Sequence, residues 1–296
     1  MNTLVYYSIK DLERISGIKA HTLRIWEKRY DLLTPERTNT NIRTYGDDDV
    51  RKILNVKTLL DGGWKISHVG QLAQHELQAE VKKAFDTMEV GTLDYAPYIN
   101  ALTAAMLDIN EKEFDRVFAS ATTRFGLKET MMKMVNPFLQ NIGLMWSVSE
   151  VHPGHEHFAS NLIRQKLFGA IDQLMPTAPK PGRFLLWLPE GENHEIGLLF
   201  ANYWLRSQGF EVIYLGQNVP FDSLLEVAAN KSADKLLTFF IANRPATEIN
   251  DYLHQLITRF EAQTIFVAGE KGLLAQLQDF PNVKYLYRPE DLMQIM

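Results

Sequence analysis

The chain has 296 residues, a formal net charge of −5, 46% hydrophobic residues and no cysteine. That length predicts two domains, or three if one is small, and the apolar content predicts packed cores rather than a disordered chain. Zero cysteine excludes disulfides, thiolate metal sites and a cysteine nucleophile, the longest apolar runs fall far short of the roughly 18 residues of a membrane span, and the first residues lack a signal-peptide pattern, so a cytoplasmic protein is expected.

The charge is unevenly placed. Residues 1–75 carry 12 Lys and Arg against 9 Asp and Glu, a net of +3, and the rest carry 19 against 27, a net of −8. Only the head is therefore suited to meet a polyanion. In chain order, Ser8 with Asp11 reads as a capping box opening a helix striped by Ile9, Leu12 and Ile15 and ended by Gly17. Lys19–Tyr30 predicts a second helix, with Leu23 and Trp26 inward and Pro35 as its stop. Thr38–Thr44, with Asn39 and Asn41, suits a tight hairpin. Asp47–Leu60 is helical again until Gly62-Gly63, and residues 76–92 form a linker helix.

From 93 to 175 the pattern is all helical. Leu102 and Met106 recur at four, and Asn110 with Glu113 suits a cap for the helix holding Phe114, Val117 and Phe118. Met131–Trp146 and Glu156–Leu174 complete a central four-helix bundle. Pro176–Pro181 is a proline-rich linker. Between 180 and 296, short apolar runs at Phe184–Leu188, Val212–Leu215, Leu236–Ala242, Thr264–Val267 and Val283–Tyr287 alternate with helical segments such as Ile196–Ser207 and Phe221–Asn230. This is the signature of an α/β doubly wound parallel sheet, in which ligands sit outside the carboxyl ends of the strands.

Two short helices joined near Gly17, the second basic, form a helix-turn-helix candidate whose second helix would enter the major groove of double-stranded DNA. Lys19, His21, Thr22, Arg24, Lys28 and Arg29 on that helix, and Arg37, Asn41, Arg43 and Tyr45 on the hairpin, are the candidate DNA-binding residues; Arg contacts to phosphate supply salt-dependent affinity. The same spacing also describes a small helical domain with a solvated charged face. In the body, Glu192-x-His194-x-x-Gly197 follows the first strand and opens a helix. The imidazole of His194 suits metal coordination, Glu192 suits orientation of its other nitrogen, and Gly197 suits close helix approach. Spacing alone favours an exposed loop histidine beside acids.

The string from Thr22 to Tyr30 (TLRIWEKRY) with Arg43-x-Tyr45 resembles the MerR-type winged-helix domain over residues 4–75, in the branch fused to cobalamin-binding domains. Glu192-x-His194-x-x-Gly197 resembles the signature of base-off, His-on cobalamin-binding domains. The resemblance implies that His194 is the lower cobalt ligand and that Glu192 hydrogen-bonds it, and it adds Asn193, Gly216, Thr238 and Gly269 to the cofactor-binding candidates. Thr238 stands where the family has a serine, and Ala268-Gly269 where it has Gly-Gly. In the bundle, Trp146 followed by Glu156-His157 resembles the cap of photoreceptor-type cobalamin regulators of the CarH/LitR family. There the Trp covers the upper corrin face beside the 5′-deoxyadenosyl group, which the Glu and His contact. Ser147 stands where members forming a stable photoproduct place a histidine; His152 and His155 lie nearby.

The resemblance implies a Rossmann-like cobalamin-binding domain and a repressor whose assembly into a homo-oligomer, dimer or tetramer, and whose operator binding are controlled by adenosylcobalamin and light. The departures at Ala268 and Ser147 keep open a second reading, a ligand-independent oligomerisation or antirepressor-binding body. A third, a corrinoid methyl carrier or mutase subunit, is disfavoured by the fused head.

Overall fold

The structure, a computed structural model, describes residues 7–38, 41–87, 95–147, 153–242 and 244–295. It divides into two units, Met1–Ser160 and Asn161–Met296.

The first unit begins with α1 (Ile9–Ser16), opened by the expected box: Ser8 N donates to Asp11 Oδ2 at 2.8 Å and Asp11 N to Ser8 Oγ at 3.3 Å. Gly17 closes it with φ +70°. α2 (Ala20–Tyr30) borrows its opening from α1, because Ala20 N donates to Glu13 Oε2 at 3.0 Å. It ends at Asp31, whose φ of +50° turns the chain well before Pro35. Its Leu23 is fully buried, whereas Trp26 is only half-buried. The hairpin forms as β1 (Glu36–Arg37) against β2 (Arg43–Thr44), and a bridge from Tyr7 to Tyr45 ties its base to the start of α1. Three short-to-medium helices follow, α3 (Asp47–Asp61), α4 (Ile66–Val69) and α5 (Gln74–Thr87).

α6 (Ala96–Leu107) packs on α3 as well as on its bundle neighbour α7 (Glu111–Glu129), so the head and the first bundle helices share one unit. Arg51 on α3 reaches Asp108 Oδ1 at 3.0 Å and the Leu107 carbonyl at 3.4 Å, and Asn100 Nδ2 donates to Thr58 Oγ1 at 3.4 Å. Asn110 caps α7 as its spacing with Glu113 predicts, accepting from Glu113 N at 3.1 Å. The periodicity does not reveal the break inside α7. Gly126 takes φ +77° and ψ 158°, and a π-helical stretch, Thr130–Val135, links it to α8 (Asn136–Ser147). Phe125 is held beside this break by Tyr95 and Tyr98, with ring centroids 4.7 and 5.5 Å away. α9 (Pro153–Asp172) runs across the division between the units.

The second unit alternates as expected: β3 (Arg183–Pro189), α10 (Ile196–Ser207), β4 (Glu211–Val219), α11 (Phe221–Asn230), β5 (Lys235–Phe240), α12 (Ala246–Arg259), β6 (Thr264–Gly269), α13 (Lys271–Leu274), β7 (Val283–Leu286) and a closing 3₁₀ turn, Pro289–Gln294. All neighbours are parallel, in the order β4-β3-β5-β6-β7. Leu185, Trp187, Leu236, Phe240, Ile265 and Val267 project from one face into a core shared with α11 and α12. Residues alternate between the two faces of a strand, so Phe239 points the other way, toward α10. Strand order reverses between β3 and β5, and the loops leaving their carboxyl ends emerge side by side, the usual place for a ligand crevice. Among the described residues, no helix is long and apolar enough to cross a membrane.

Gly126, at φ +77° and ψ 158°, occupies a backbone region essentially reserved for glycine, which costs a β-carbon-bearing residue about 1–3 kcal/mol. Gly126→Ala is expected to lower stability by that amount in urea titration, although no atom would contact the added methyl.

Candidate functional site

The loop after β3 is built around one buried carboxylate. Glu192 is 0% exposed. Its Oε1 accepts from His194 N at 3.1 Å and lies 2.6 Å from His194 Nδ1, and its Oε2 accepts from Ile241 N at 2.8 Å and Ala242 N at 2.6 Å. Burial alone would raise its pKa, but the His194 ring and the three backbone donors overcome that penalty and hold it down at about 2. The backbone is secured in parallel. Glu192 N donates to the Pro189 carbonyl at 2.9 Å, Asn218 N to the Glu192 carbonyl at 3.1 Å, and Gly191 N to Asn218 Oδ1 at 2.7 Å. The guanidinium of Arg244 bonds the Glu190 carbonyl, and a β-carbon on Gly191 would lie 2.7 Å from Arg244 Nη2.

His194 therefore has a fixed ring orientation while its side chain is 60% exposed. Glu192 engages Nδ1, which directs Nε2 to any metal, the arrangement of a carboxylate–histidine–metal triad. One such ligand suits a metal that arrives with its other ligands. Among the described residues, no group of three or more His, Asp or Glu side chains is placed to hold a bare ion.

The other body candidates are distributed as follows. Gly197 packs against Phe239, whose ring would lie 2.9 Å from an added β-carbon, so this glycine permits helix approach as expected. Asn193 is exposed. Gly216 has φ +80° and passes beside Tyr214 and Glu195. Thr238 is fully buried between Trp187 and Val267, and its hydroxyl has no hydrogen-bond partner among the described residues. Gly269 is required by the fold itself, since a β-carbon there would lie 2.6 Å from the Phe240 carbonyl. Trp146 is carried by α8, but its side chain, that of Ser147, and residues 148–152 with His152 lie outside the described residues. Glu156 and His157 open α9, with Oε2 and Nδ1 3.0 Å apart and the His157 side chain 72% exposed. His155 precedes them, half-buried.

Sequence reasoning missed Glu195, although it sits inside the motif. Glu195 is 5% exposed; Tyr214 Oη donates to its Oε2 at 3.0 Å, and the Arg164 guanidinium pairs with its Oε1. Burial and this carboxylate push the Tyr214 hydroxyl well above its ordinary pKa. Asn218 was also missed; its positive φ of +57° leaves a trace only in the residue type.

On the head, Arg24, Lys28 and Arg29 lie exposed on α2. Arg24 and Lys28 line a cleft with Glu27, Pro35 and Arg43. Lys19 pairs with Glu13 at 3.0 Å, and His21 and Thr22 are linked through Nε2 and Oγ1 at 3.3 Å. Arg37 donates to Asn41 Oδ1 at 2.6 Å across the hairpin, and Asn41 takes φ +63° to make the turn. Glu27 organises the hairpin's other arm: Arg43 Nε and Tyr45 Oη each donate to it at 2.9 Å. Tyr45 is fully buried, so its ring belongs to the core, and it bears on the surface through Glu27 and Arg43.

Residues 7–76 match the family described as MerR HTH family regulatory protein, and residues 98–168 match the B12 binding domain. The HTH-type transcriptional repressor CarH of Myxococcus xanthus is 28% identical over 261 residues, 84% of either chain. The repressor CarA of the same organism is 28% identical over 263 residues, 88% of this chain and 85% of its own. Among solved structures, the monomethylamine corrinoid protein of Methanosarcina barkeri superposes with a TM-score of 0.47 at 14% identity, covering 64% of this chain and 92% of that one.

Glu192 has a folded pKa below the ordinary 4.5, so its bonds stabilise the fold above that pH and are lost as the pH falls toward 2. Urea stability is expected to decline across that window. Glu192→Gln should flatten the decline and cost about 1–3 kcal/mol at pH 7, because an amide cannot accept from four donors.

Proposed function

We propose that this chain, a MerR-type regulator with a B12-binding domain, binds operator DNA through α2 and the hairpin and is controlled by adenosylcobalamin held on His194. The observation that carries the reading is the Glu192–His194 pair, a buried ionised carboxylate 2.6 Å from Nδ1 of an exposed imidazole at the sheet's switch point. The residues fit the cofactor on a second count. The orphaned Thr238 hydroxyl is a buried polar group with bonding capacity to spare.

Adenosylcobalamin supplies a cobalt–carbon bond that light can break. The chain supplies the rest. Glu192 keeps the His194 imidazole in the tautomer that presents Nε2, and the loop's bonds to Asn218, Ile241 and Ala242 hold that nitrogen in place. Trp146, Glu156 and His157 are the residues the resemblance assigns to the cofactor's adenosyl group, which they would shield from water. Occupancy of the body would then set the homo-oligomer, dimer or tetramer, and with it operator affinity, since paired half-sites need paired readers. Repression as the output and a cytoplasmic location follow from the same reading. The corrinoid-enzyme reading is set aside, because the relatives that align over most of the chain are named transcriptional repressors.

On the DNA side, Arg24 and Lys28 would reach base edges or phosphates, and Arg43, aimed by Glu27 and Tyr45, the backbone beside them. Lys19, His21, Thr22, Arg29, Arg37 and Asn41 complete the surface.

A second reading, a ligand-independent body that oligomerises or binds an antirepressor, draws on Ala268 and Ser147. The Ala268 methyl is 7% exposed on β6, between its strand partners Phe239 and Leu286, and the Ser147 side chain lies outside the described residues.

The deciding experiment is gel filtration of protein mixed with adenosylcobalamin in the dark, read by visible absorbance. The expected result is co-elution, with the nitrogen-ligated spectrum lost in His194→Ala; cobalamin-free protein would favour the second reading. For the head, Arg24→Ala is expected to weaken binding to a library-selected duplex and to reduce the salt slope by about one. Fluorescence anisotropy across a salt series reads both.

A further inference from the structure

We infer that Arg164 and Glu195 form a positioning pair that locks helix α9 to the loop carrying His194; the inference rests on the cobalamin reading above. Glu195 directly follows His194 and begins α10, with Leu199 N donating to its carbonyl at 2.8 Å. An acid at that point of a helix ordinarily turns its carboxylate onto the helix's own exposed N–H groups. Here the side chain makes no such bond. It turns away into a cluster, where Tyr214 Oη on β4 donates to Oε2 at 3.0 Å and the guanidinium of Arg164 on α9 meets Oε1. A carboxylate 5% exposed is costly to bury without a counter-charge. The cluster is therefore held together by that cost as much as by its contacts. Gly216 passes beside the cluster at φ +80°, a backbone conformation that favours glycine.

His194 thus stands between two buried carboxylates with different anchors. Glu192 fixes the ring by Nδ1 and fastens it to the end of β5. Glu195 fixes the backbone on the other side and fastens it to α9 and β4. Arg164 lies seven residues beyond His157, two turns along the same helix face and about 10 Å away. Within the second unit, the later turns of α9 and the loop bearing the candidate lower ligand are in this way tied by an ion pair. A change at either is passed to the other through a group that touches neither cobalt nor corrin.

The test uses full-length protein loaded with adenosylcobalamin in the dark, with two readouts: the visible band that distinguishes nitrogen-ligated from unligated alkylcobalamin, and the dissociation constant. The double variant Arg164→Met/Glu195→Gln removes the ion pair without stranding a buried charge and keeps the Tyr214 bond. It is expected to fold, with an unchanged far-UV circular dichroism spectrum. It should also shift bound cobalamin toward the unligated band and weaken binding about tenfold. Arg164→Lys, which keeps the charge, should restore most of the ligated band. A double variant with wild-type spectrum and affinity, or a lysine variant no better than methionine, overturns the pairing while leaving the cobalamin reading intact. Wild-type protein that retains no cobalamin overturns both.

Discussion

The second unit turns on the Glu192 carboxylate. It is removed from water entirely, yet it is ionised, because the four donors that surround it more than replace the solvent it lost. Those donors come from two places far apart in the chain, the His194 residue and the backbone that follows β5. The carboxylate is thus both the orienting partner of an imidazole and the knot that closes the sheet's switch point. Removing it would leave three backbone N–H groups and a ring nitrogen without their acceptor, so local geometry and function fail together.

The topology explains why that knot forms there. A parallel order of β4-β3-β5-β6-β7 places the first strand between the second and the third, and its loop has no strand continuing above it. The loop must find bonds sideways, and it finds them in Asn218, Ile241, Ala242 and Arg244. On the head, Glu27 plays a comparable part on a smaller scale. It gathers Arg43 and the buried Tyr45 from the hairpin onto α2, so that two elements present one surface.

Much of this was legible in the sequence, for identifiable reasons. The capping pairs Ser8/Asp11 and Asn110/Glu113 act over three residues, and a sequence displays such local chemistry directly. The period change near Pro181 separates helices from strands for the same reason, and the helices Ile196–Ser207 and Phe221–Asn230 fall where their patterns predict. The Glu192–His194 bond spans two residues and follows from the motif. What was hidden depends on distance along the chain. Nothing near Glu195 announces that its partner is Arg164, and nothing near Thr238 shows that its buried hydroxyl lacks a partner among the described residues. The end of α2 at Tyr30 was legible, but its cause was assigned to Pro35 because Asp31 adopts a conformation that asparagine or glycine would have advertised better. The π-helical stretch after Gly126 escaped because apolar spacing there still satisfies a helix.

The packing of α3 on α6 bears on how such proteins are assembled from parts. A reader domain joined to its sensor by a loose tether can be transplanted freely, since nothing but covalent continuity is shared. Here Arg51 grips the end of α6, and Asn100 reaches back to Thr58. A foreign head spliced in ahead of residue 95 would bare the apolar flank of α6 and strand Asp108. Chimeras and recombination events that respect the head's sequence boundary would cut through a core.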